Sequence, residues 1–162
     1  MNIHKIAGID IGSNSVRLLV ANVIVDGKQV LFKKSSLTRL PIRLGTDAFG
    51  EGRITPPRVQ MLIEGMKAYE KIMKVHEVEH YRACATSALR EASNGEEITA
   101  VIREGTGIAI ELIDGAEEAK LIFQADFMAQ IQNGEEDFLY IDVGGGSTEL
   151  TLFHGQDIRA TR

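Results

Sequence analysis

The sequence has one cysteine, no long apolar run and no excess of basic charge. Cys84 alone excludes an internal disulfide framework and a CxxC metal pair. Its place in the apolar stretch 81–85 predicts a buried structural thiol. No apolar stretch approaches the roughly 18 residues that a membrane-spanning helix needs. Residues 1–5 run straight into a strand-like segment broken by Asp10, without the apolar core of a signal peptide. Together these features predict a cytoplasmic protein with no membrane partner. A net charge of −5 argues against a nucleic-acid partner. An anionic ligand would then need a site made locally positive by placed arginines and backbone N–H groups. His4, His76, His80 and His154 lack metal-ligand spacing and read as surface or strand-end residues.

What is present is an ordinary globular balance, 44% apolar and 25% charged over 162 residues, enough for one domain or one and a fraction. Residues 5–11 read as a buried strand and Gly12-Ser13-Asn14 as a turn. Residues 16–25 form a second strand, Asp26-Gly27 signals a tight hairpin, and 29–40 form a third strand. Residues 41–53, with three glycines, read as a loop. Thr55 and Pro56 open a helix whose stripe of Val59, Leu62, Ile63, Met66, Ile72 and Met73 predicts a packed face. Residues 80–85 are a strand turning into a helix over 86–91. Asn94 caps another helix through Glu104, ended by Gly105 or Gly107. A strand follows at 108–113, then a helix from Gly115 to Gln132 stopped by Asn133-Gly134. Strands at 138–143 and 147–153 flank Gly144-Gly145-Gly146, and a further strand begins after Gly155-Gln156-Asp157. The order βββ-α-β-α-β-α-ββ predicts an α/β fold with a mixed sheet covered by helices.

One short pattern recurs. Ile9-Asp10-Ile11-Gly12-Ser13-Asn14-Ser15 resembles Ile141-Asp142-Val143-Gly144-Gly145-Gly146-Ser147. Each ends a strand with Asp and a spacer, then gives Gly, two small residues and Ser. Glycine lets a backbone turn tightly and approach a ligand closely. Consecutive N–H groups in such a turn can cradle an anion. The hydroxyls of Ser13, Ser15, Ser147 and Thr148 can add donors, and the Asp offers a hard oxygen ligand that suits Mg²⁺ bridged to phosphate. One such turn is most often a plain hairpin; two in matching register favour phosphate. Neither is a P-loop or a dinucleotide fingerprint, because no lysine-ended glycine loop is present and a strand, not a helix, follows the glycines. Arg17 is placed to pair with phosphate oxygens, though alone it also reads as a solvated strand arginine. Thr86-Ser87-Ala88-Leu89-Arg90 lies at a strand-to-helix junction, either an anion site or a simple cap. Glu117 and Glu118 open a helix and on composition alone read as complements of its dipole.

These segments resemble the exopolyphosphatase / guanosine pentaphosphate phosphohydrolase family. The resemblance is carried by residues 8–20, Ala85-Thr86-Ser87-Ala88-Leu89-Arg90-Glu91-Ala92, Gly115-Ala116-Glu117-Glu118-Ala119 with the four residues after it, and Asp142-Val143-Gly144-Gly145-Gly146-Ser147-Thr148-Glu149-Leu150. The sequence departs from the family at Asp114, where Ser is common, and in a longer connector before Phe138. The resemblance implies an actin-like, ribonuclease H-like ATPase fold of two lobes. Residues 1–128 would be the first lobe, and 129–162 a connector and the opening hairpin of a second lobe that is mostly absent. It implies Mg²⁺-dependent release of terminal phosphate from polyphosphate or guanosine pentaphosphate, in a protein that is a homodimer at full length. By the same resemblance Glu118 serves as general base, with Asp142, Glu149 and Arg90 also catalytic. Asp10, Asp142 and Glu149 would hold metal. Gly12, Ser13, Asn14, Ser15, Arg17, Thr86, Ser87, Gly144, Gly145, Gly146, Ser147 and Thr148 would bind phosphate.

The final hairpin, with apolar Leu139, Ile141, Val143, Leu150, Leu152 and Phe153, is expected to expose surface that packs on the first lobe or on another copy. Two other readings stay open. A kinase of the same superfamily would transfer phosphate to an acceptor and release none without it. A nucleotide-gated assembly module would polymerise rather than turn over, and light scattering with and without nucleotide would separate it.

Overall fold

The computed structural model describes residues 1–162 except 28, 127–136, 144–147, 156 and 162, and the side chains of 123–126, 142 and 149. It contains two compact units, Met1–Leu112 and Ile113–Arg162.

The first unit opens with three strands, β1 (Asn2–Ile11), β2 (Val16–Asp26) and β3 (Gln29–Leu40). They form an antiparallel meander, and Gly27 takes the left-handed φ of +60° that its tight hairpin requires. Then follow α1 (Leu44–Glu51), α2 (Pro56–Val75), β4 (His80–Ala85), α3 (Ser87–Glu91), α4 (Gly95–Thr106) and β5 (Glu111–Leu112). The sheet is mixed, in the order β3-β2-β1-β4-β5, with β1–β4 and β4–β5 parallel. Alternate strand residues Ile9, Ile11, Val16, Leu18, Val20, Ala83 and Ala85 share one core with Leu62, Met66, Tyr69 and Met73 of α2 and Ile98 and Ile102 of α4. Burying each large aliphatic side chain among them contributes about 1.5–3 kcal/mol. The methionine stripe of α2 packs as the sequence predicts, except that Tyr69 joins it.

The other face of the sheet carries Asp10, Arg17 and Arg39, all exposed. Cys84 points there too and is only half-buried, because Ala83 and Ala85 on either side take the core positions. The expectation of a buried thiol is corrected by this alternation. β3 is an edge strand. Its first residues Val30, Leu31 and Phe32 are exposed, and its pairing with β2 shifts register between Val20 and Ala21.

Local rules are overridden at four places. Residues 44–51 are helical, not a loop, because tertiary bonds fix α1. Asp47, 6% exposed, accepts from the Thr55 backbone N–H (3.0 Å), the Thr55 hydroxyl and the Arg58 Nε (2.6 Å), while Arg58 also donates to the Ile42 carbonyl. Thr55 and Asn94 stand at the cap positions of α2 and α4, but neither side chain caps its helix. Asn94 instead bonds both the N–H and the C=O of Ile54, each at 2.9 Å. β5 is much shorter than the strand expected at 108–113. The Tyr81 hydroxyl accepts from the Ala109 N–H and donates to the Gly107 carbonyl, both at 3.2 Å, where a longer strand would have continued the ladder. α4 ends at Gly107, whose φ of +74° makes it the C-cap.

In the second unit, α5 (Gly115–Asp126) packs on β7 (Thr148–His154) and β8 (Asp157–Thr161), which with β6 (Asp137–Val143) form an antiparallel sheet in the order β6-β7-β8. The expected extension of α5 to Gln132 lies outside the described residues. Ala119 and Phe153 are buried together against Phe138, Tyr140 and Ile158. Phe153 is therefore core rather than exposed, because its side of β7 meets α5. Leu139, Ile141, Val143, Leu150 and Leu152 are exposed as expected. No described helix is long and apolar enough to cross a membrane.

Two measurements test this framework. Burial alone would raise the Asp47 carboxyl, but the bonds from Thr55 and Arg58 outweigh it and hold it below its ordinary value. A lowered folded value stabilises the fold at neutral pH, and that contribution is lost as the pH falls through it. Asp47→Asn should therefore cost about 1–3 kcal/mol in urea melts at pH 7, with the gap from wild type closing in acid; a gap that ignores pH would contradict the network. Tyr69, fully buried, donates its hydroxyl to the carbonyls of Val16 (2.8 Å) and Thr38 (3.3 Å). Tyr69→Phe should cost about 1 kcal/mol near neutral pH. Burial first, then the Asp10 charge, push the phenol up to about 12. The wild type should thus lose stability as the pH climbs from about 10 to 12, a loss that Tyr69→Phe should reduce.

Candidate functional site

The site begins where β1 ends. Ile11 and Val16 are paired in register, so residues 12–15 bridge the hairpin. The Gly12 N–H donates to the Ser15 carbonyl at 3.1 Å and closes the turn. α1 braces it from one side. The Gly45 N–H donates to the Ser13 carbonyl (2.8 Å) and the Arg43 N–H to the Asn14 carbonyl (3.0 Å). Two backbone features permit that approach. Arg43 adopts a left-handed φ of 60°, uncommon for a residue with a side chain. A Cβ on Gly45 would lie 2.9 Å from the Ser13 Cβ and 2.9 Å from the Phe49 ring, so only glycine fits.

The β4–α3 junction braces the other side. The Thr86 N–H donates to the Ile11 carbonyl at 3.2 Å, and the Ser13 and Ser87 hydroxyls are 3.0 Å apart. Ser13, Ser15, Thr86 and Ser87 are all buried. The carbonyls of Ile11, Ser13, Asn14 and Ser15 are thus each taken by a protein N–H, which removes negative ends that would repel an anion. Among the described residues, the N–H groups of Ser13 and Asn14 have no protein acceptor. Contrary to the simplest expectation, the Gly12 N–H and the Ser13 hydroxyl are engaged within the protein.

Beside the turn, Asp10 and Arg17 face each other across β1 and β2, with Arg17 Nη1 3.6 Å from Asp10 Oδ2 and both about half exposed. Arg90 sits in the last turn of α3, mostly buried, with Nη2 3.7 Å from Glu91 Oε1. The first unit therefore gathers Asp10, Gly12, Ser13, Asn14, Ser15, Arg17, Thr86 and Ser87. α1, with Arg43 and Gly45, is the part that sequence reasoning missed. Its signal was the unusual density of glycine in 41–53.

The second unit repeats the hairpin. Val143 pairs Thr148 and Asp142 pairs Glu149, the same spacing as Ile11 with Val16 and Asp10 with Arg17. Thr148 is exposed. Gly144, Gly145, Gly146 and Ser147 lie outside the described residues, as do the side chains of Asp142 and Glu149. Glu118 lies in the first turn of α5, half-buried, and its N–H donates to the Asp114 carbonyl at 3.0 Å. Asp114 Oδ1 accepts from the Glu117 N–H at 2.8 Å, so Asp114 is the N-cap, a place where Ser and Asp serve alike. Among the described residues, no three His, Cys, Asp or Glu side chains converge as metal ligands.

The sequence matches the model of the Ppx/GppA phosphatase family over residues 20–161. It is 33% identical to Exopolyphosphatase 2 of Mycobacterium tuberculosis, covering 94% of this chain and 49% of that protein. It is 34% identical to the bifunctional 3-dehydroquinate synthase/phosphatase of Fusobacterium nucleatum, covering 94% of this chain and 23% of that one. The chain thus spans about half the length of the first relative and about a quarter of the second. The structure matches the Aquifex aeolicus Ppx/GppA family member with a TM-score of 0.81 at 33% identity, over 99% of this chain and 51% of that one. It matches an exopolyphosphatase from Cytophaga hutchinsonii with a TM-score of 0.80 at 29% identity, over 98% of this chain and 49% of that one. The mixed sheet and its helices are those of the actin-like ATPase fold that these neighbours share. The chain belongs to the Ppx/GppA phosphatase family.

Proposed function

We propose that this chain carries the phosphate-binding part of a phosphoanhydride hydrolase, which releases terminal phosphate from inorganic polyphosphate or guanosine pentaphosphate by attack of water. The observation that carries this reading is the repeated strand register. Asp10 and Asp142 occupy the same register position, each one residue before the pair (Ile11 with Val16, Val143 with Thr148) beyond which the two strands of its unit join. The exopolyphosphatase names of the relatives in Mycobacterium tuberculosis and Cytophaga hutchinsonii support the substrate class.

The roles at the first hairpin rest on its donors, and those of Glu118, Arg90 and the second hairpin on what the family resemblance implies. The Ser13 and Asn14 N–H groups and the Arg17 guanidinium donate to phosphate oxygens, with Thr86 and Ser87 backing the turn, and the family resemblance adds Arg90 as a further phosphate contact. Gly144, Gly145, Gly146, Ser147 and Thr148 do the same from the second hairpin. Glu118 accepts a proton from water as its oxygen bonds to phosphorus and the bridging P–O bond breaks toward the leaving phosphate. Most of the rate then comes from positioning and from donors aimed at the charged oxygens. A Mg²⁺ ion fits the donor set: Asp10 is an exposed carboxylate beside phosphate donors, the sparse protein ligation that this ion takes. Asp10 would hold it in the first unit, Asp142 and Glu149 are the candidate ligands of the second, and when bound it supplies charge neutralisation at the phosphate oxygens. A cytoplasmic, homodimeric whole protein accompanies this reading.

In the whole protein, phosphate release from each substrate with and without Mg²⁺ tests it directly, and a protein that releases none from either would end the proposal. Glu118→Gln should lower turnover at least ~100-fold while leaving KM nearly unchanged. Undiminished turnover would remove Glu118 from the mechanism. Gly45→Ala should displace the Ser13 turn and raise KM about tenfold or more, since small misplacements of a binding group are costly; an unchanged KM would show that the α1 brace does not set the turn.

A further inference from the structure

The open face of the first sheet holds a charged row that the roles above do not fully use. Asp10 pairs Arg17 across β1 and β2, and Arg17 in turn pairs Arg39 across β2 and β3. Directly opposed residues of antiparallel strands put their side chains on the same face. All three are exposed on the side away from the helices. Asp10 is matched to Arg17, while Arg39 has no ion-pair partner among the described residues. Of the carboxylates near this face, Glu111 is held by Arg82 at 2.8 Å, and Glu79 by His4 and the Lys5 N–H. Like charges directly opposite across strands are destabilising. The Arg17–Arg39 pair is therefore a local cost, kept next to the phosphate turn in a chain whose net charge is −5. A bridging anion would offset that cost.

We propose that Arg39 is a second phosphate contact, one strand beyond Arg17, so that the site grips a chain of linked phosphates rather than the terminal group alone. The proposal rests on the hydrolase reading above and deepens it. Strands lie about 4.8 Å apart, so the row from Asp10 to Arg39 spans about 10 Å along the sheet. An anion held at the 12–15 turn and Arg17 has its next linked phosphate directed toward β3. Guanidinium groups suit this task because they meet phosphate oxygens with paired N–H donors. The competing role for Arg39 is a charge that blunts the β3 edge against pairing with another strand. That role is met by any charge, whereas phosphate binding is not.

The test uses the whole protein with tripolyphosphate as substrate and orthophosphate as competing product. Arg39→Gln should raise KM for tripolyphosphate about tenfold with kcat within about twofold, and leave inhibition by orthophosphate unchanged, the loss expected for one charge-assisted contact. Arg39→Lys should recover part of the affinity, and Arg39→Glu, which keeps a charge on the edge, should be worse than Arg39→Gln. Equal KM in wild type and Arg39→Gln overturns the inference, as does an orthophosphate effect that shifts in parallel. If the wild type releases no phosphate at all, the hydrolase reading fails by itself. Tripolyphosphate binding by calorimetry then decides on Arg39, where equal affinity in wild type and Arg39→Gln would overturn it.

Discussion

The turn at residues 12–15 could accept an anion only if its own carbonyls, whose negative ends would otherwise meet the ligand, were first disposed of. Here the disposal is done by backbone from two directions. Gly45 and Arg43 take the Ser13 and Asn14 carbonyls, and Thr86 takes that of Ile11. Much of the first unit can be traced to this requirement. α1 brings the Gly45 N–H to the turn, and Asp47 with Arg58 and Thr55 holds it there. Gly45 has no side chain because Ser13 leaves it no room. The left-handed Arg43 is a local strain of about 1–3 kcal/mol, and the contacts on both sides of it keep it in place.

The sequence carried the fold in its periodicities. The meander, the α2 stripe and the parallel strand at 80–85 were legible because apolar residues alternate by two or by three and four, and burial enforces those spacings. The repeated Asp-to-Ser pattern was legible because two copies in one chain leave little room for chance. The structure adds that both hairpins share one register, so the likeness extends from residues to backbone pairing.

What was not legible depended on partners distant in sequence. Thr55 and Asn94 look like caps, and they stand at cap positions, but Asp47 and Ile54 draw their side chains away. Residues 44–51 look like a glycine loop because no local rule reveals that Asp47 will find Arg58. Cys84 looks buried because its neighbours are apolar, yet strand alternation turns it toward the open face beside Asp10. Phe153 joins the same apolar list as Leu139 and Ile141, and only the packing of α5 separates it from them.

The outer strand of the first sheet has a consequence of its own. Val30, Leu31 and Phe32 lie uncovered on a strand whose far side has no neighbour in the sheet, a combination that invites recruitment of a foreign strand. Lys33 and Lys34 follow at once, and the register shift against β2 at Val20 and Ala21 breaks the regularity that a docking strand would need. Any protection of this margin against fibrillar stacking is thus expected to be electrostatic as much as geometric, and to weaken wherever salt screens the two ammonium groups.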